Sequence, residues 1–516
     1  MPSPTSCTNT PLLAPGETSS ATNRYGLALL LLFAILVTRL PAITPSFWGD
    51  ELKTMNDISG SFIDTLKYQA LEGGHPPFYY LCLNLWTKVS DSDIWVRLLS
   101  VGASLATVII VGRIGFAFGG SRTGWIAAFL AATTHPLCWI ATEARNYVFH
   151  VLFGALAWLF LIQAIKSSRT KYWIGYALSL TLCWYSFYYG YYVAVGLGFF
   201  FLATRPKKRA LIAYTASSTL SVLLYLPWLP IFLRQLGRTD EWQERLVPPE
   251  FSLLELVRLD IRAFSLHGPW NIFGTQAGPR FGSPPTEWIF ALIVVLSVLV
   301  LVIRARSKQG LSTPTRRWLL PTFLGLGGYV ISSNMTALVG AYTWLKYLSF
   351  AGVPLCIYGS LLTAELPHRL VHYGLPVMLI VNIAATSERA YARKTPHWRQ
   401  AVTWIQEASN PSETLITSRI ASLAVQHYGT SGIQNRMRFV KSKSPFGPLT
   451  GSVRVLSKNA HGSPTDQFLK RFSNEASALQ GQLIEQVTFD GGISIQQWQF
   501  PENDTPTEES LPFTSP

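Results

Sequence analysis

The chain has 516 residues, of which 49% are hydrophobic and only 14% are charged, well below the roughly 25% charged residues of soluble proteins. The apolar residues are concentrated in blocks of roughly 17–25, the length that crosses about 30 Å of hydrocarbon, which excludes an ordinary soluble protein. The net charge of +14 does not indicate nucleic-acid binding, because the Lys and Arg residues lie mainly in short loops between apolar blocks.

The N-terminal segment, residues 1–24, is rich in Ser, Thr and Pro and predicts a disordered cytoplasmic tail. No small-residue cleavage pattern follows the first apolar block, which predicts an uncleaved anchor. Hydropathy then predicts about eleven transmembrane helices. Their approximate ranges are 25–41, 98–118, 123–141, 147–165, 171–189, 190–204, 210–233, 287–304, 318–334, 346–364 and 368–386.

The apolar stretch Phe78–Val89 is short and amphipathic, which is typical of a helix that lies at the membrane interface. When it is left out of the count, the basic loops all fall on one side, which the positive-inside rule identifies as the cytoplasm. The same count places the loop 42–97, the turn 142–146 and the loop 234–286 outside. Residues 25–389 are therefore predicted to form one transmembrane domain of a bacterial inner membrane or a plasma membrane.

The remaining residues, 390–516, also fall outside and have the pattern of a small soluble α/β domain. The predicted fold class is thus an all-α polytopic membrane protein with interfacial helices and a small extracytoplasmic C-terminal α/β domain. The C-terminal elements predicted are helices at Trp398–Ala408 and Ile420–Tyr428, a strand at Leu415–Ile416, and a hairpin over Val487–Phe500 that turns at Asp490-Gly491-Gly492.

Three short polar segments fall on the predicted outer face, and each has an ordinary structural explanation. The adjacent carboxylates Asp50 and Glu51 could cap a helix N-terminus. The turn His75-Pro76-Pro77 could start a helix. The segment Glu143-Ala144-Arg145, followed by Tyr147, could form an ion pair at the interface.

Together these segments resemble the family 39 glycosyltransferases of the GT-C superfamily, which include protein O-mannosyltransferases and the bacterial lipid A aminoarabinose transferases. The resemblance extends over residues 25–165 and includes an Arg-Leu start to the second span, here Arg97-Leu98. Two residues depart from the family pattern. Phe78 replaces the usual Leu, and Lys346-Tyr347 stands where bacterial relatives often carry Arg-Tyr, so a bidentate phosphate grip is not expected there.

The resemblance implies transfer of a sugar from a polyprenyl-phosphate donor to a protein, lipid or glycan acceptor on the periplasmic or lumenal face. A phosphate leaving group needs a base for the acceptor and a cation for the phosphate, which predicts Asp50 as general base. Attack opposite the phosphate would invert the anomeric centre. Glu51 is predicted as the second catalytic residue. The residues predicted to bind substrate are His75, Glu143, Arg145, Tyr147 and Lys346, together with Arg258 and Arg262, for which solvated charges on an interfacial helix are the favoured alternative.

The sequence has no His or Cys spacing typical of a metal site, so no metal cage and no required cofactor are predicted, although a carboxylate-bound divalent cation stays open. A transporter or flippase of lipid-linked sugars is the main alternative, and it should show intramembrane charges or broken helices in paired halves. A membrane scaffold is the second alternative, and it would leave the clustering of Asp50, His75 and Arg145 on one face unexplained.

Overall fold

The structure is a computed structural model, and it describes most of the N-terminal half and most of the C-terminal domain. The described residues are 18–236, 299, 301–307, 310–338, 349–367, 376–377, 380, 383, 396–440, 444–446, 449–458 and 467–501. The spans predicted at 287–304 and 368–386 therefore lie largely outside the described residues, as does almost all of the loop 234–286.

The described N-terminal part is helical throughout. Its helices are α1 (Thr18–Arg39), α2 (Gly49–Asp57), α3 (Phe62–Leu71), α4 (Phe78–Trp86), α5 (Asp93–Thr133), α6 (His135–Ala141), α7 (Tyr147–Ser167), α8 (Thr170–Ser186), α9 (Gly190–Ala203), α10 (Lys208–Tyr225) and α11 (Leu229–Leu236), with 3-10 turns at Leu40–Ile43 and Leu226–Trp228. Further along lie α12 (Thr313–Leu338) and α13 (Gly352–Glu365).

Four helical segments among the described residues are long and apolar enough to cross a membrane, so the chain is an integral membrane protein. On α1, the side chains of Leu29 and Phe33 are 67% and 56% exposed, which suits hydrocarbon better than water. The predicted count of about eleven spans stays a prediction. The four segments are Tyr25–Ile43, Asp93–Thr133, Tyr147–Ser167 and Lys208–Leu236.

The spans predicted at 98–118 and 123–141 meet at a glycine break within α5. Gly119 and Gly120 have non-helical backbone angles, and Gly120 has a φ of 78°, in the left-handed region that favours glycine. The two halves pack closely, since a Cβ added at Gly115 would lie 2.8 Å from the carbonyl oxygen of Thr123. The span predicted at 123–141 is also interrupted, because α5 ends at Thr133 and the separate helix α6 begins at His135, next to Pro136.

The helix predicted at the interface, α4, has nine residues, about 14 Å at 1.5 Å per residue, and is too short to cross a bilayer. Pro77 is its N-cap residue, as the helix-start interpretation of the proline pair predicted. With α2 and α3, α4 fills the connection between α1 and α5. This connection contains the first two polar segments identified in the sequence.

The C-terminal domain contains a five-stranded mixed sheet. Its strands are β1 (Thr414–Thr417), β2 (Met437–Phe439), β3 (Ser452–Lys458), β4 (Gln482–Phe489) and β5 (Ile493–Gln499), in the order β2-β1-β3-β5-β4. β1 is parallel to β2 and β3, whereas β5 is antiparallel to β3 and β4. Its helices are α14 (Trp398–Ala408), α15 (Arg419–Tyr428), α16 (Ser431–Asn435) and α17 (Gln467–Ala478).

The predicted hairpin and both predicted helices of this domain are confirmed. The hairpin turns at Gly491 and Gly492, whose φ angles are 84° and 78°, as a turn with positive φ requires. The two faces of the sheet pack differently. Val453 and Val455 of β3 belong to a core with Phe472 of α17, whereas Leu456 belongs to the core that continues through α14 and α15 into the helical part.

Candidate active site

The N-terminus of α2 is fixed by a buried ion pair between Glu51 and Arg97. The guanidinium donates from Nε to Glu51 Oε1 at 2.8 Å and from Nη2 to Oε2 at 2.6 Å, and neither side chain is exposed. Glu51 also accepts from the backbone N–H of Trp48 at 3.2 Å, which closes the first turn of α2. The helix-cap interpretation therefore holds for Glu51.

The same arginine holds the chain that leads into α2. Its guanidinium donates to the backbone carbonyls of Ile43, Pro45 and Ser46 at 2.9, 2.5 and 3.2 Å. Because all these acceptors surround one planar group, the end of α1 and the start of α2 are fixed relative to α5. Glu51 also connects α2 to the turn 142–146, since its Oε1 accepts from the backbone N–H of Ala144 at 2.8 Å.

Arg145, from the turn 142–146, reaches the start of α2 from the other side. It is 5% exposed, and its Nη1 donates to the backbone carbonyl of Asp50 at 3.3 Å and to Thr54 Oγ1 at 3.0 Å. Its Nη2 lies 3.0 Å from His75 Nε2 and donates to the Tyr147 hydroxyl at 3.4 Å. All three polar segments identified in the sequence therefore meet at one guanidinium.

The contact between Arg145 and His75 defines the state of the imidazole. Because guanidinium can only donate, His75 Nε2 must accept, which places the ring proton of a neutral His75 on Nδ1. The ring stacks on Tyr80, with 6.3 Å between centroids, and lies 5.8 Å from the ring of Phe187. The turn before α4 thus places the imidazole edge against Arg145.

Cations and carboxylates are both close to this centre. Burial lowers the pKa of Arg145, but Tyr80, Tyr147 and Asp50 raise it more, so its pKa lies well above the usual range. Burial lowers the pKa of Lys53 on α2, with a further lowering by Arg145. Asp50, half-buried, interacts electrostatically with both cations.

Glu143 and Tyr147 flank Arg145 in the chain, and both are buried. Glu143 Oε1 accepts from the indole Nε1 of Trp139 at 2.7 Å, within the same turn of chain. The Tyr147 ring lies 5.6 Å from the Arg145 guanidinium, and its hydroxyl accepts from it. Tyr147 is therefore a direct neighbour of the cation, whereas the contact described for Glu143 is with Trp139.

The C-terminal domain contacts this region through Asp93, the first residue of α5. Asp93 Oδ2 accepts from the hydroxyl of Tyr428 at 2.8 Å and from Arg399, and its Oδ1 lies 3.5 Å from His427 Nε2. The Tyr428 hydroxyl in turn accepts from the backbone N–H of Phe47 at 2.8 Å. These contacts place α15 directly against the residues that precede Asp50.

Three predicted site residues, Lys346, Arg258 and Arg262, lie outside the described residues. Within the part of the chain that the structure describes, no three His, Cys, Asp or Glu side chains are grouped so that they could hold a metal ion. The expectations about cofactors and a divalent cation therefore stay predictions.

Sequence reasoning did not identify several residues of this centre. The ion pair of Arg97 with Glu51 was missed, although Arg97 was noted as part of a motif, because 46 residues separate the two. Thr54 carries a weak signal, since it lies one helical turn after Asp50. Asp93 and its C-terminal partners carry none, because their proximity depends on how the two parts of the chain pack.

The comparison with protein families agrees with the motifs. Residues 74–231 match the family model described as dolichyl-phosphate-mannose-protein mannosyltransferase. This segment contains the His-Pro-Pro turn and the Glu-Ala-Arg segment, so the resemblance to the family 39 glycosyltransferases is confirmed. No curated protein sequence matches the chain.

Solved structures with a similar fold include the oligosaccharyltransferase of Archaeoglobus fulgidus with a tethered acceptor peptide. It is 14% identical, with a TM-score of 0.51 over 81% of this chain, and the match spans 64% of the length of that protein. ArnT from Cupriavidus metallidurans in the apo state is 11% identical, with a TM-score of 0.47 over 92% of this chain and 98% of that chain. The first likeness shows that the chain shares its overall fold with the oligosaccharyltransferase.

Proposed function

We propose that the protein is a membrane glycosyltransferase that transfers a sugar from a polyprenyl-phosphate donor to an acceptor on the outer face of the membrane. The observation that supports this most directly is the position of Arg145. Its guanidinium joins the start of α2 at Asp50 to His75 of the His-Pro-Pro turn, with the contacts at 3.3 and 3.0 Å. The first contact is with the backbone carbonyl of Asp50, and the Asp50 charge also acts on the guanidinium. A buried cation near a carboxylate is the minimum that this chemistry needs.

In the proposed reaction Asp50 is the general base. The acceptor hydroxyl forms a bond to the anomeric carbon as the bond between that carbon and the phosphate oxygen breaks. Asp50 takes the hydroxyl proton late in the reaction, when the oxocarbenium-like transition state has made it acidic. Attack opposite the phosphate inverts the anomeric centre.

Arg145 would stabilise the departing phosphate. A guanidinium donates charge-assisted hydrogen bonds to phosphate oxygens, and in a buried site such bonds are strong. Nη1 and Nη2 of Arg145 already donate to groups of the protein. The buried Nε of Arg145 has no hydrogen-bond partner among the described residues, and a phosphate oxygen would supply one. His75 and Tyr147 would then hold the guanidinium in position.

Glu51 is assigned a positioning role in this proposal. Both of its oxygens accept hydrogen bonds from Arg97 and from backbone N–H groups, which would hold Asp50 at the start of α2. We retain Glu143 as a support for the turn, and Lys346, Arg258 and Arg262 as further contacts to the donor phosphate.

The acceptor in this proposal is a protein, a lipid or a glycan. The Archaeoglobus oligosaccharyltransferase was crystallised with a tethered acceptor peptide that contains the NVT sequon, which favours testing protein acceptors before lipids or glycans. The C-terminal domain would lie on the same outer face as the site, in the membrane orientation predicted from the basic loops.

The test compares cells with and without the gene by mass spectrometry of surface glycoproteins, lipids and glycans. The proposal predicts that one sugar modification disappears and that the purified protein, in nanodiscs, restores it from a polyprenyl-phosphate sugar. A flippase would instead move the intact lipid-linked sugar across proteoliposomes without consuming it, and that result would replace the proposal.

A further inference from the structure

We propose that the C-terminal domain completes the site by supplying Lys458 as an electrostatic partner of Asp50, so that the base is held between cations from two parts of the chain. This inference rests on the proposed function for its role in catalysis. The pairing itself rests on the packing between the domain and α2.

The first step is the contact between α15 and α2. A Cβ added at Gly49, the residue before Asp50, would lie 3.2 Å from the Cδ1 atom of Ile420. The first turn of α15 therefore packs against the first turn of α2. At the other end of α15, the hydroxyl of Tyr428 accepts from the backbone N–H of Phe47 at 2.8 Å.

The second step is the position of β3 beside α15. The backbone N–H of Ser418, the N-cap residue of α15, donates to the carbonyl of Leu456 at 3.3 Å. Lys458 lies two residues after Leu456, so both side chains emerge on the same face of the sheet. That face belongs to the core shared with α15, so Lys458 lies on the side of the sheet that α15 covers, and α15 packs on α2.

The third step is the charge at this position. Lys458 is the last residue of β3, it pairs with Ile493 of β5, and it is only partly exposed. Burial lowers the pKa of its ammonium group to about 8, and the charge of Asp50 opposes that shift. The carboxylate of Asp50 therefore acts on the ammonium group of Lys458, beside the packed contact between α15 and α2.

Several other charged groups also lie near Asp50, so the experiment must distinguish the effect of Lys458 from theirs. Lys53 interacts with Asp57, Arg145, Arg419 and Asp50, and Arg419 is again a residue of the C-terminal domain. Among the described residues, the groups that interact with Asp50 include Lys53, Arg145, Tyr147 and Lys458. Asp57 and Arg419 act on Lys53, and His75 contacts Arg145.

The consequence for the reaction is electrostatic. A protonated Lys458 favours the ionised form of Asp50, which is the form that can accept a proton. Lys458 is a positioning residue in this account, because it acts on the base and not on the substrate. The domain would thus contribute to activity through Lys458, even though Asp50, His75 and Arg145 all lie in the N-terminal part of the chain.

The test measures the reactivity of Lys458 toward an acylating reagent between pH 6 and pH 11, in the full-length protein in detergent, with exposed Lys470 as the internal reference. The pairing predicts that Asp50→Asn lowers the apparent pKa of Lys458, because the opposing carboxylate charge is gone. Asp91→Asn, which removes an exposed carboxylate, should leave it unchanged. An identical Lys458 titration in the Asp50→Asn protein would overturn the inference.

A second measurement tests the role in turnover. Lys458→Met should move the acidic limb of the kcat profile to higher pH and cause a several-fold loss at low pH, while Lys458→Arg restores it and Lys470→Met has no effect. A pH profile unchanged in Lys458→Met would overturn the positioning role. If the labelling shift is present but the unmodified protein transfers no sugar, the pairing stands and the proposed function fails.

Discussion

The two buried arginines beside α2 are satisfied in different ways. Arg97 lies 2.6 Å from the carboxylate of Glu51 and also donates to three backbone carbonyls. The described hydrogen bonds of Arg145 instead go to neutral groups, namely a backbone carbonyl, hydroxyls and an imidazole. Burial alone therefore does not indicate the function of an arginine. Arg97 is neutralised by a carboxylate and has a structural role, whereas Arg145, in the proposed function, would bind the donor phosphate.

The largest effect should come from breaking the neutralised pair. Arg97→Met leaves Glu51 buried without its cation, and removing one partner of a buried pair typically costs about 3–5 kcal/mol. We expect little folded protein after solubilisation and a clearly lower Tm. Arg122→Met, at an exposed arginine of the same helix, provides the control. A Tm equal to that of the unmodified protein would show that the ion pair of Arg97 with Glu51 does not stabilise the fold.

A smaller and different effect is expected at the other arginine. Arg145→Ala should weaken the binding of polyprenyl phosphate roughly tenfold to a hundredfold, because hydrogen bonds to a charged group contribute about 1.5–3 kcal/mol. Arg145→Lys should restore only part of the affinity, since a point charge cannot match the planar fork. The measurement is binding of the lipid phosphate to protein in nanodiscs.

The comparison would fail if Arg145 behaved like Arg97. In that case Arg145→Ala would lower the Tm as much as Arg97→Met does, and the folded fraction would bind the lipid phosphate with unchanged affinity. Such a result would make Arg145 a second structural tie.

The smallest effect concerns the contact between the domains. Tyr428→Phe removes the hydroxyl that accepts from the N–H of Phe47 and donates to Asp93, a change that should cost about 1–3 kcal/mol. We expect faster amide hydrogen exchange in the peptide that contains Phe47. Tyr172→Phe on α8 is the control. Equal exchange in both variants would show that the hydroxyl does not hold the segment before Asp50.

Much of the fold was predictable because its signals are local. Apolar blocks predicted the transmembrane character, the Pro-Pro pair predicted the start of α4, and the paired glycines at 491–492 predicted the hairpin. The interior strand β3 was missed. Arg454, the third residue of β3, interrupts the apolar run and pairs with Glu413 at 3.0 Å. A buried ion pair therefore appears in the sequence as a polar residue within an apolar strand.

The candidate site was predictable only as a set of segments. The motifs named Asp50, His75 and Arg145, and these residues do meet. The partners Thr54 and Tyr80 were not named, and neither was the cluster around Asp93. Contacts of this kind join residues many turns apart, and no periodicity or short spacing encodes them.

In the proposed function, the polar segments around Arg145 form a catalytic centre with Asp50 as its base. The most direct measurement is turnover of a polyprenyl-phosphate sugar by Asp50→Asn in nanodiscs, with donor binding followed in parallel and Asp91→Asn as the control. We predict a loss of about a hundredfold to ten-thousandfold in rate with donor binding and Tm retained, because Asn keeps the size of Asp and Glu51 still closes the first turn of α2. Turnover close to the unmodified rate would show that Asp50 is not the base and is only a first-turn acidic residue of α2.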